Sequence, residues 1–225
     1  GWARVSPVAA AGTRRMTRTI CWDVDTQVDF MMADGKLSVP GAEAIIPALE
    51  RLTRWAHDGR TPIVATADDH DVGHAEITDH PDWQTTFPPH CMRGTAGQRK
   101  IPATALCDAL IFQPVPLDQA GVADAVRNHR GDFLLNKPGT DVFRWNPNAA
   151  TVLETLAPER VVLYGVATDF CTRAAVTGVA RLRPDAELVI VTDAIRGINE
   201  PASRALLVEW SALGYTLARS TEVTA

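Results

Sequence analysis

The sequence predicts an α/β fold: a doubly wound parallel sheet with helices on both faces. Segments typical of strands alternate with segments whose apolar residues recur at helical spacing. The strand segments are apolar throughout, as at residues 161–166, which is typical of strands buried on both faces of a sheet. A chain of 225 residues can bury one sizeable core. We therefore expect a single domain over residues 19–225, after a disordered or vector-derived tail over residues 1–18.

The first half of the chain holds two predicted strands, one helix and a long loop. Apolar runs predict strands at residues 20–24 and 62–65, and helical spacing predicts a helix over residues 42–57. Residues 68–103 are rich in Asp, His, Pro and Gly and show no clear periodicity. Long loops in compact domains are usually functional, so we expect functional side chains in this segment.

The second half of the chain continues the alternation of strands and helices. Because the strands are expected to be parallel, their carboxyl ends share one edge of the sheet, where such folds bind their ligands. The predicted elements are strands at residues 110–112, 133–136, 161–166, 187–191 and 216–218, and helices at residues 117–128, 149–156, 171–182 and 202–213.

Charge and apolar patterning exclude two classes of partner. Lys and Arg total 22 against 27 Asp and Glu, and no basic block is long enough to follow a nucleic-acid backbone. No apolar run approaches the roughly 20 residues that span a bilayer. In the tail, Arg14 and Arg15 follow the apolar stretch instead of preceding it, the reverse of a signal peptide. We expect a cytoplasmic protein with no nucleic-acid and no membrane partner.

Cys171 is a candidate nucleophile. It follows the predicted strand at residues 161–166 and begins the next helical pattern, where free N–H groups and the helix dipole favour a thiolate and can bind an oxyanion. A buried cysteine that acts as a small hydrophobe is the alternative. The four cysteines contain no CxxC pair, so each thiol is considered singly.

Two carboxylates and a lysine also lie at the carboxyl ends of predicted strands. Asp23 and Asp25 lie on one face of the first strand or its turn, and either could serve as a general base or cap the turn. Lys137 follows the strand at residues 133–136, in a chain with only three lysines among its 22 basic residues. Its position indicates either a compact ammonium near other charges or a solvated loop lysine.

The long loop supplies candidate metal ligands. Asp68 and His70 are two residues apart, so both side chains lie on one side of an extended segment, and His90 follows two prolines that stiffen the chain. Carboxylate and imidazole ligands suit zinc, iron or manganese. Surface residues of a loop are the alternative, and composition does not rank the further candidates His74, Glu76 and His80.

Taken together, these segments resemble the isochorismatase-like cysteine hydrolases, and within them the nicotinamidase group. The similar stretches follow the family order and span residues 19 to about 218. They are residues 24–30 (VDTQVDF), 65–70 (ATADDH), 87–91 (FPPHC) with Gly94 and Thr95, Lys137, and 165–171 (GVATDFC).

The resemblance implies a catalytic triad of Asp25, Lys137 and Cys171, with Asp25 as the base in place of Asp23. It also implies a cis peptide bond between Val166 and Ala167. The backbone amides of Ala167 and Cys171 are the implied donors to an oxyanion.

The resemblance further implies a divalent metal. The nicotinamidase group holds its metal with an Asp, a His two residues on, a variable ligand and the His of a Pro-Pro-His segment, which match Asp68, His70 and His90 here. A loop without gaps places the variable ligand at Glu76, with His74 and His80 as alternatives. We expect zinc, with iron or manganese as the alternative ions.

The implied activity is the hydrolysis of a carboxamide, nicotinamide or a related ring amide, to the acid and ammonia. The reaction passes through a thioester on Cys171, and Phe30 and Phe87 are the expected walls of the ring site. The residues after Lys137 depart from the group's loop, so the same triad acting on another amide, imide or lactam is an alternative. A non-catalytic binding protein of the same fold is another. Family members commonly form homo-oligomers, and we expect one here.

Overall fold

The computed structural model describes residues 18–225, so the predicted tail, except its last residue, lies outside the described residues. Seven strands form one sheet in which every neighbouring pair is parallel. The strands are β1 (Thr19–Val24), β2 (Ile63–Asp68), β3 (Leu110–Phe112), β4 (Phe133–Lys137), β5 (Arg160–Val166), β6 (Glu187–Arg196) and β7 (Thr216–Ala218).

Helices connect successive strands on both faces of the sheet, except between β2 and β3, which the long loop joins. All helices that the sequence predicts are present, whereas three four-residue helices were not predicted because a single turn has no recognisable period: Val28–Met31, Val142–Trp145 and Ser220–Val223. The helices are α1 (Val28–Met31), α2 (Ile46–Asp58), α3 (Gln119–Asn128), α4 (Val142–Trp145), α5 (Ala149–Leu156), α6 (Arg173–Leu182), α7 (Glu200–Ala212) and α8 (Ser220–Val223). In residues 18–225, no helix combines the length and apolar character that a membrane crossing requires.

The two faces of the sheet carry two separate apolar cores. Along β1, Ile20, Trp22 and Val24 pack into one core with α3, α5, α6 and Trp210 of α7, while Cys21 packs into the other with α2. Side chains of successive strand residues point to opposite faces, so a strand must be apolar on both sides to be buried in this way. The predicted doubly wound α/β fold is confirmed.

The order of the strands determines where a ligand can bind. Across the sheet the order is β3-β4-β2-β1-β5-β6-β7, so the chain starts at a central strand, builds towards one edge and then returns to build towards the other. The direction reverses at β1, between β2 and β5. In open parallel sheets a crevice opens at the carboxyl ends of the strands where this reversal occurs. The candidate side chains lie at those ends.

Candidate active site

Four neighbouring strands bring the predicted site residues together. Lys137 is the last residue of β4 and Asp68 the last of β2, and the two are partners in the strand register. Asp25 directly follows β1, and Cys171 lies in the turn after β5. Because these strands are adjacent in the order β4-β2-β1-β5, residues up to 146 positions apart in sequence meet at one edge.

Asp25 and Asp23 have different surroundings, although both are buried. Asp25 adopts a left-handed backbone conformation (φ 48°) that turns the chain away from β1, and its Oδ1 accepts a hydrogen bond of 2.6 Å from the Thr66 hydroxyl. Asp23 instead accepts from the Lys100 ammonium at 2.7 Å and from the Thr26 hydroxyl at 2.9 Å. Only Asp25 of the two carboxylates contacts Lys137.

Lys137 lies at the centre of the site and is almost completely buried. Its Nζ is 2.8 Å from Asp25 Oδ2, donates to Asp68 Oδ1 and is 3.7 Å from Cys171 Sγ. Although burial opposes its charge, the two carboxylates raise the pKa of Lys137 well above its ordinary value. The ammonium is therefore charged and contacts a thiol and two carboxylates at once. It is not a solvated loop lysine.

Burial dominates the protonation of the other two triad residues. It raises the pKa of Asp25 above its ordinary value, and the Lys137 ammonium opposes this rise. It also raises the pKa of the Cys171 thiol well above the ordinary range, again against the effect of Lys137. The sequence predicts that a helix N-terminus favours the thiolate, whereas burial of Cys171 acts in the opposite direction. A neutral thiol needs a base that removes its proton during attack, and Asp25 is placed to be that base.

The turn after β5 presents Cys171 to the cavity. Residues Thr168–Thr172 form one turn of π-helix before α6 begins, so the helix starts later than the sequence predicts. The predicted cis peptide bond between Val166 and Ala167 is present. Within residues 18–225, the Ala167 amide donates to no backbone acceptor outside the regular elements. This N–H is available to a ligand beside the thiol.

Beside Lys137, four ligand-type side chains converge, and they include the predicted set. One ligand atom from each of Asp68, His70, Glu76 and His90 lies within 4.8 Å of the others. The Nε2 atoms of both histidines are 3.4 Å from Asp68 Oδ2, and Glu76 Oε1 is 3.9 Å from His70 Nε2 and 4.0 Å from His90 Nε2. His74 Nδ1 instead accepts from the Asp71 amide, and neither His74 nor His80 is in the cluster.

The donor set fits a divalent cation. In the described part of the chain, the buried Nε2 atoms of His70 and His90 have no hydrogen-bond partner. His90 donates its Nδ1–H to the Pro88 carbonyl at 2.8 Å, which leaves the Nε2 lone pair facing the cluster, as in many metal sites. Burial and the nearby Asp68 carboxylate raise the pKa of Glu76 to about 7. Two crowded carboxylates and two unpaired imidazole nitrogens suit zinc, iron or manganese.

Gln27 connects the triad to this cluster, a role that local sequence patterns do not reveal. Its buried side chain accepts from the Asp68 amide at 2.8 Å and donates to the Asp68 carbonyl at 2.8 Å. It also donates to the Gln98 carbonyl at 2.7 Å. The turn that carries Asp25 therefore also holds the backbone of Asp68. The only signal in the sequence is an amide two residues after Asp25.

A small apolar cavity lies between the thiol and the metal ligands. Cys171, Ala167, Asp68, Glu76 and His90 line it together with both predicted ring walls, Phe30 and Phe87. The remaining lining residues come from four separate segments, and no local sequence pattern assigns them to the cavity: Leu37, Val39, Thr140, Phe170 and Ile198. Phe87 and Phe170 pack edge to face with their ring centroids 5.8 Å apart. The walls suit a flat, apolar ligand.

Known proteins are similar to this chain over much of its length. Residues 116–222 match the family model described as the isochorismatase domain. Over these residues the chain is similar to that family. The chain is also 27% identical, over 188 residues, to the nicotinamidase/pyrazinamidase of Mycobacterium tuberculosis (strain ATCC 25618 / H37Rv), and the match covers 83% of the chain and 90% of the relative.

Two solved structures are similar along most of their length. The pyrazinamidase of Pyrococcus horikoshii, in complex with zinc, has a TM-score of 0.69 and 24% identity to this chain, with 90% of the chain and 99% of the relative covered. The pyrazinamidase/nicotinamidase of Streptococcus mutans UA159 has a TM-score of 0.66 and 26% identity, with 88% and 99% covered. The predicted fold and family resemblance are confirmed.

Proposed function

We propose that this protein is a cysteine amidohydrolase that converts a small ring carboxamide to its acid and ammonia, with nicotinamide as the first candidate substrate. One observation carries the proposal: Lys137 contacts both Asp25 and Cys171, and Cys171 lines an apolar cavity together with three of the four candidate metal ligands, Asp68, Glu76 and His90. The similarity to nicotinamidases and pyrazinamidases supports the same substrate class. We include in the proposal a cytoplasmic location, a single domain and a homo-oligomeric state.

In the first half of the reaction, Cys171 becomes acylated. Asp25 accepts the thiol proton while Sγ attacks the amide carbonyl carbon, and the carbonyl electron pair moves onto its oxygen. The backbone N–H groups of Ala167 and Cys171 donate to that oxyanion. When the oxyanion collapses, the carbon–nitrogen bond breaks and Asp25 gives its proton to the leaving nitrogen. Ammonia departs and leaves a thioester on Cys171.

In the second half, water replaces the sulfur. Asp25, again a carboxylate, takes a proton from a water that attacks the thioester carbon. The carbon–sulfur bond then breaks, the acid is released and Sγ recovers a proton. Lys137 stays protonated throughout, because its position between Asp25 and Asp68 stabilises the ammonium. It compensates the negative charge that moves between Asp25 and Cys171.

The expected cofactor is a divalent metal, zinc first and iron or manganese as alternatives, held by Asp68, His70, Glu76 and His90. When bound, it supplies a Lewis-acid site for a ring nitrogen of the substrate. Phe30 and Phe87 enclose the ring from the sides, and Phe170 packs against Phe87. A ring fixed in this way presents its amide carbon to Cys171 with little freedom to rotate, which favours attack.

The test is ammonia release from nicotinamide by the purified protein, with the metal content determined on the same sample. The wild type is expected to release ammonia, and Cys171→Ala is expected to lose turnover while it keeps its metal. Cys107→Ala is the matched control, because Cys107 is an exposed cysteine outside the cavity. Turnover that persists in Cys171→Ala would disprove the mechanism.

A second substrate class is supported by the segment after Lys137. Thr140 from this segment is the only side chain with a hydroxyl group among the described residues that line the cavity. A hydroxyl can donate to a second polar group on a ring, as an imide or lactam would offer. If the metal-loaded protein does not turn over nicotinamide, cyclic imides and lactams are the next substrates to assay, with the same Cys171→Ala control.

A further inference from the structure

Ile198 forms part of the rim of the cavity. It lies in the connection between β6 and α7, lines the cavity that contains Cys171, and still exposes 42% of its surface to solvent. Its side chain therefore borders both the cavity and the solvent. We call residues 197–199 the rim segment. Because β6 is adjacent to β5 in the sheet, this segment lies next to the turn that carries the thiol.

Asp169 connects the rim segment to the nucleophile turn. Its Oδ1 accepts a hydrogen bond of 2.9 Å from the Ile198 amide, and its Oδ2 accepts one of 2.8 Å from the Asn199 amide. Asp169 is buried and lies two residues before Cys171 in the same π-turn. Both carboxylate oxygens are therefore used to hold the rim at a fixed position relative to the thiol. Hydrogen bonds to a charged acceptor are among the stronger ones in proteins.

Contacts with α7 fix the other side of the rim segment. The Asn199 side chain accepts from the Ala202 amide at 2.9 Å and so caps α7, and the Ser203 hydroxyl donates to the Asn199 carbonyl at 2.9 Å. At Gly197 the chain passes so close to Ser203 that a Cβ would be 1.9 Å from its Oγ. The rim segment is thus packed between two elements and is not a free loop.

We propose that Asp169 is a positioning residue that holds Ile198 as a fixed rim, and that this rim limits the size of the group that reaches Cys171. The size limit on amide substrates rests on the proposed amidase function. The size limit on reagents that reach the Cys171 thiol does not depend on that function. The substrate class is then small, flat, primary ring amides. Amides with bulky substituents on the nitrogen or beside the carbonyl are excluded.

Two variants separate the rim from its connection to the nucleophile turn. Ile198→Ala shortens the rim but keeps both backbone hydrogen bonds to Asp169. Asp169→Asn keeps one acceptor oxygen but places an amide NH₂ against a backbone N–H, so one of the two bonds is lost. Asp118→Asn is the matched control, because Asp118 accepts a backbone hydrogen bond from Gly121 at 2.8 Å in an exposed position at the start of α3.

The experiment measures alkylation of Cys171 by a small reagent, iodoacetamide, and a bulky one, N-(1-pyrenyl)maleimide, and needs no amide substrate. All variants carry Cys107→Ser, because Cys107 is exposed whereas Cys21 and Cys91 are buried, and peptide mass analysis locates the label. Relative to the small reagent, labelling by the bulky one is expected to rise about tenfold in Ile198→Ala and in Asp169→Asn, and to stay unchanged in Asp118→Asn.

An unchanged ratio of bulky-reagent to small-reagent labelling in Ile198→Ala would overturn the proposal. This outcome remains decisive even if Asp169→Asn folds poorly. A changed ratio in Ile198→Ala but not in a folded Asp169→Asn would overturn the role of Asp169. Turnover of primary and N-substituted amides is measured on the same proteins, and Ile198→Ala is expected to lower KM for the bulky amides more than it changes kcat. A shifted labelling ratio without turnover of any amide would uphold the rim and contradict the proposed function.

Discussion

Lys137 and Asp68 are partners in the register of β4 and β2, and their side chains are in direct contact. Asp68 directs Oδ1 towards Lys137 and Oδ2 towards the Nε2 atoms of His70 and His90, at 3.4 Å from each. Although burial acts in the opposite direction, the ammonium and the two imidazoles lower the pKa of Asp68 well below its ordinary value. One carboxylate therefore connects the triad to the metal ligands, so a change at Lys137 should affect both.

Replacing Lys137 with methionine should remove activity and also destabilise the fold. Asp25 and Asp68 would remain buried without their cation, and breaking a buried ion pair in this way costs about 3–5 kcal/mol. Urea unfolding measures the loss, and zinc affinity measures the effect on the metal ligands. Lys36→Met is the control, because Lys36 is exposed. Equal stability of the two variants would contradict the described contacts of Lys137.

Thr66→Val should shift the pH dependence of activity. The Thr66 hydroxyl donates to Asp25 Oδ1 and so stabilises the carboxylate. The base must be deprotonated, so activity is lost as pH falls through the pKa of Asp25, which burial already raises above its ordinary value. Without the hydroxyl that pKa rises further, and the acid limb of kcat/KM moves to higher pH. Thr53→Val in α2 is the control. An unmoved acid limb with normal metal content would argue against Asp25 as the base.

Glu76→Gln should weaken metal binding, whereas His74→Gln and His80→Gln should not. Glu76 Oε1 lies among the ligand atoms, and the other two side chains do not. Losing a residue that only hydrogen-bonds to a metal ligand lowers metal affinity roughly 10- to 100-fold. Losing a direct ligand should lower the affinity further. Competition with a zinc-binding dye measures the affinities. If His74→Gln had the larger effect, the described ligand set would be wrong.

Gly165→Ala should destabilise the protein severely. Gly165 has φ +117° in β5, and a Cβ there would be 2.1 Å from the Val24 carbonyl oxygen in β1. Neither strand can move without disturbing Asp25 or Cys171, and overpacking alone costs about 1–3 kcal/mol. Thermal unfolding compares this variant with Gly73→Ala, where a new Cβ meets no atom within 4 Å. A normal melting temperature for Gly165→Ala would contradict the close approach of β1 and β5.

The strands were predictable because buried strands show continuous apolar runs, but the ends of β2 and β6 were not. The strand predicted to end at residue 65 continues as β2 to Asp68. The sequence predicts an end at residue 191, whereas β6 continues to Arg196. Its polar residue Asp193 accepts hydrogen bonds from the Ser220 amide and hydroxyl at 2.6 and 2.9 Å. Asp193 would otherwise end a buried strand, but its hydrogen bonds to Ser220 satisfy its carboxylate. Because Ser220 lies 27 residues away, no local sequence pattern indicates this pairing.

Local spacing could not choose between Asp23 and Asp25, for a similar reason. The spacing places Asp23 and Asp25 on one face of the chain. What distinguishes them is the ion pair of Asp23 with Lys100, which lies 77 residues later in the sequence. The ring walls Phe30 and Phe87 and the ligand Glu76 were available from family resemblance. Thr66 and Gln27 were not assigned a role, since a hydroxyl or amide in a strand or turn reveals its partner only in the folded chain.

Trapping the acyl group on Cys171 tests the proposed thioester mechanism. The protein is mixed with nicotinamide, quenched in acid during turnover, digested and analysed by mass spectrometry. We expect a nicotinoyl group on the peptide that contains Cys171, absent from Cys171→Ala and absent when substrate is added after the quench. Ammonia released at the wild-type rate by Cys171→Ala, with no acyl group on any cysteine, would contradict a thioester mechanism at this site.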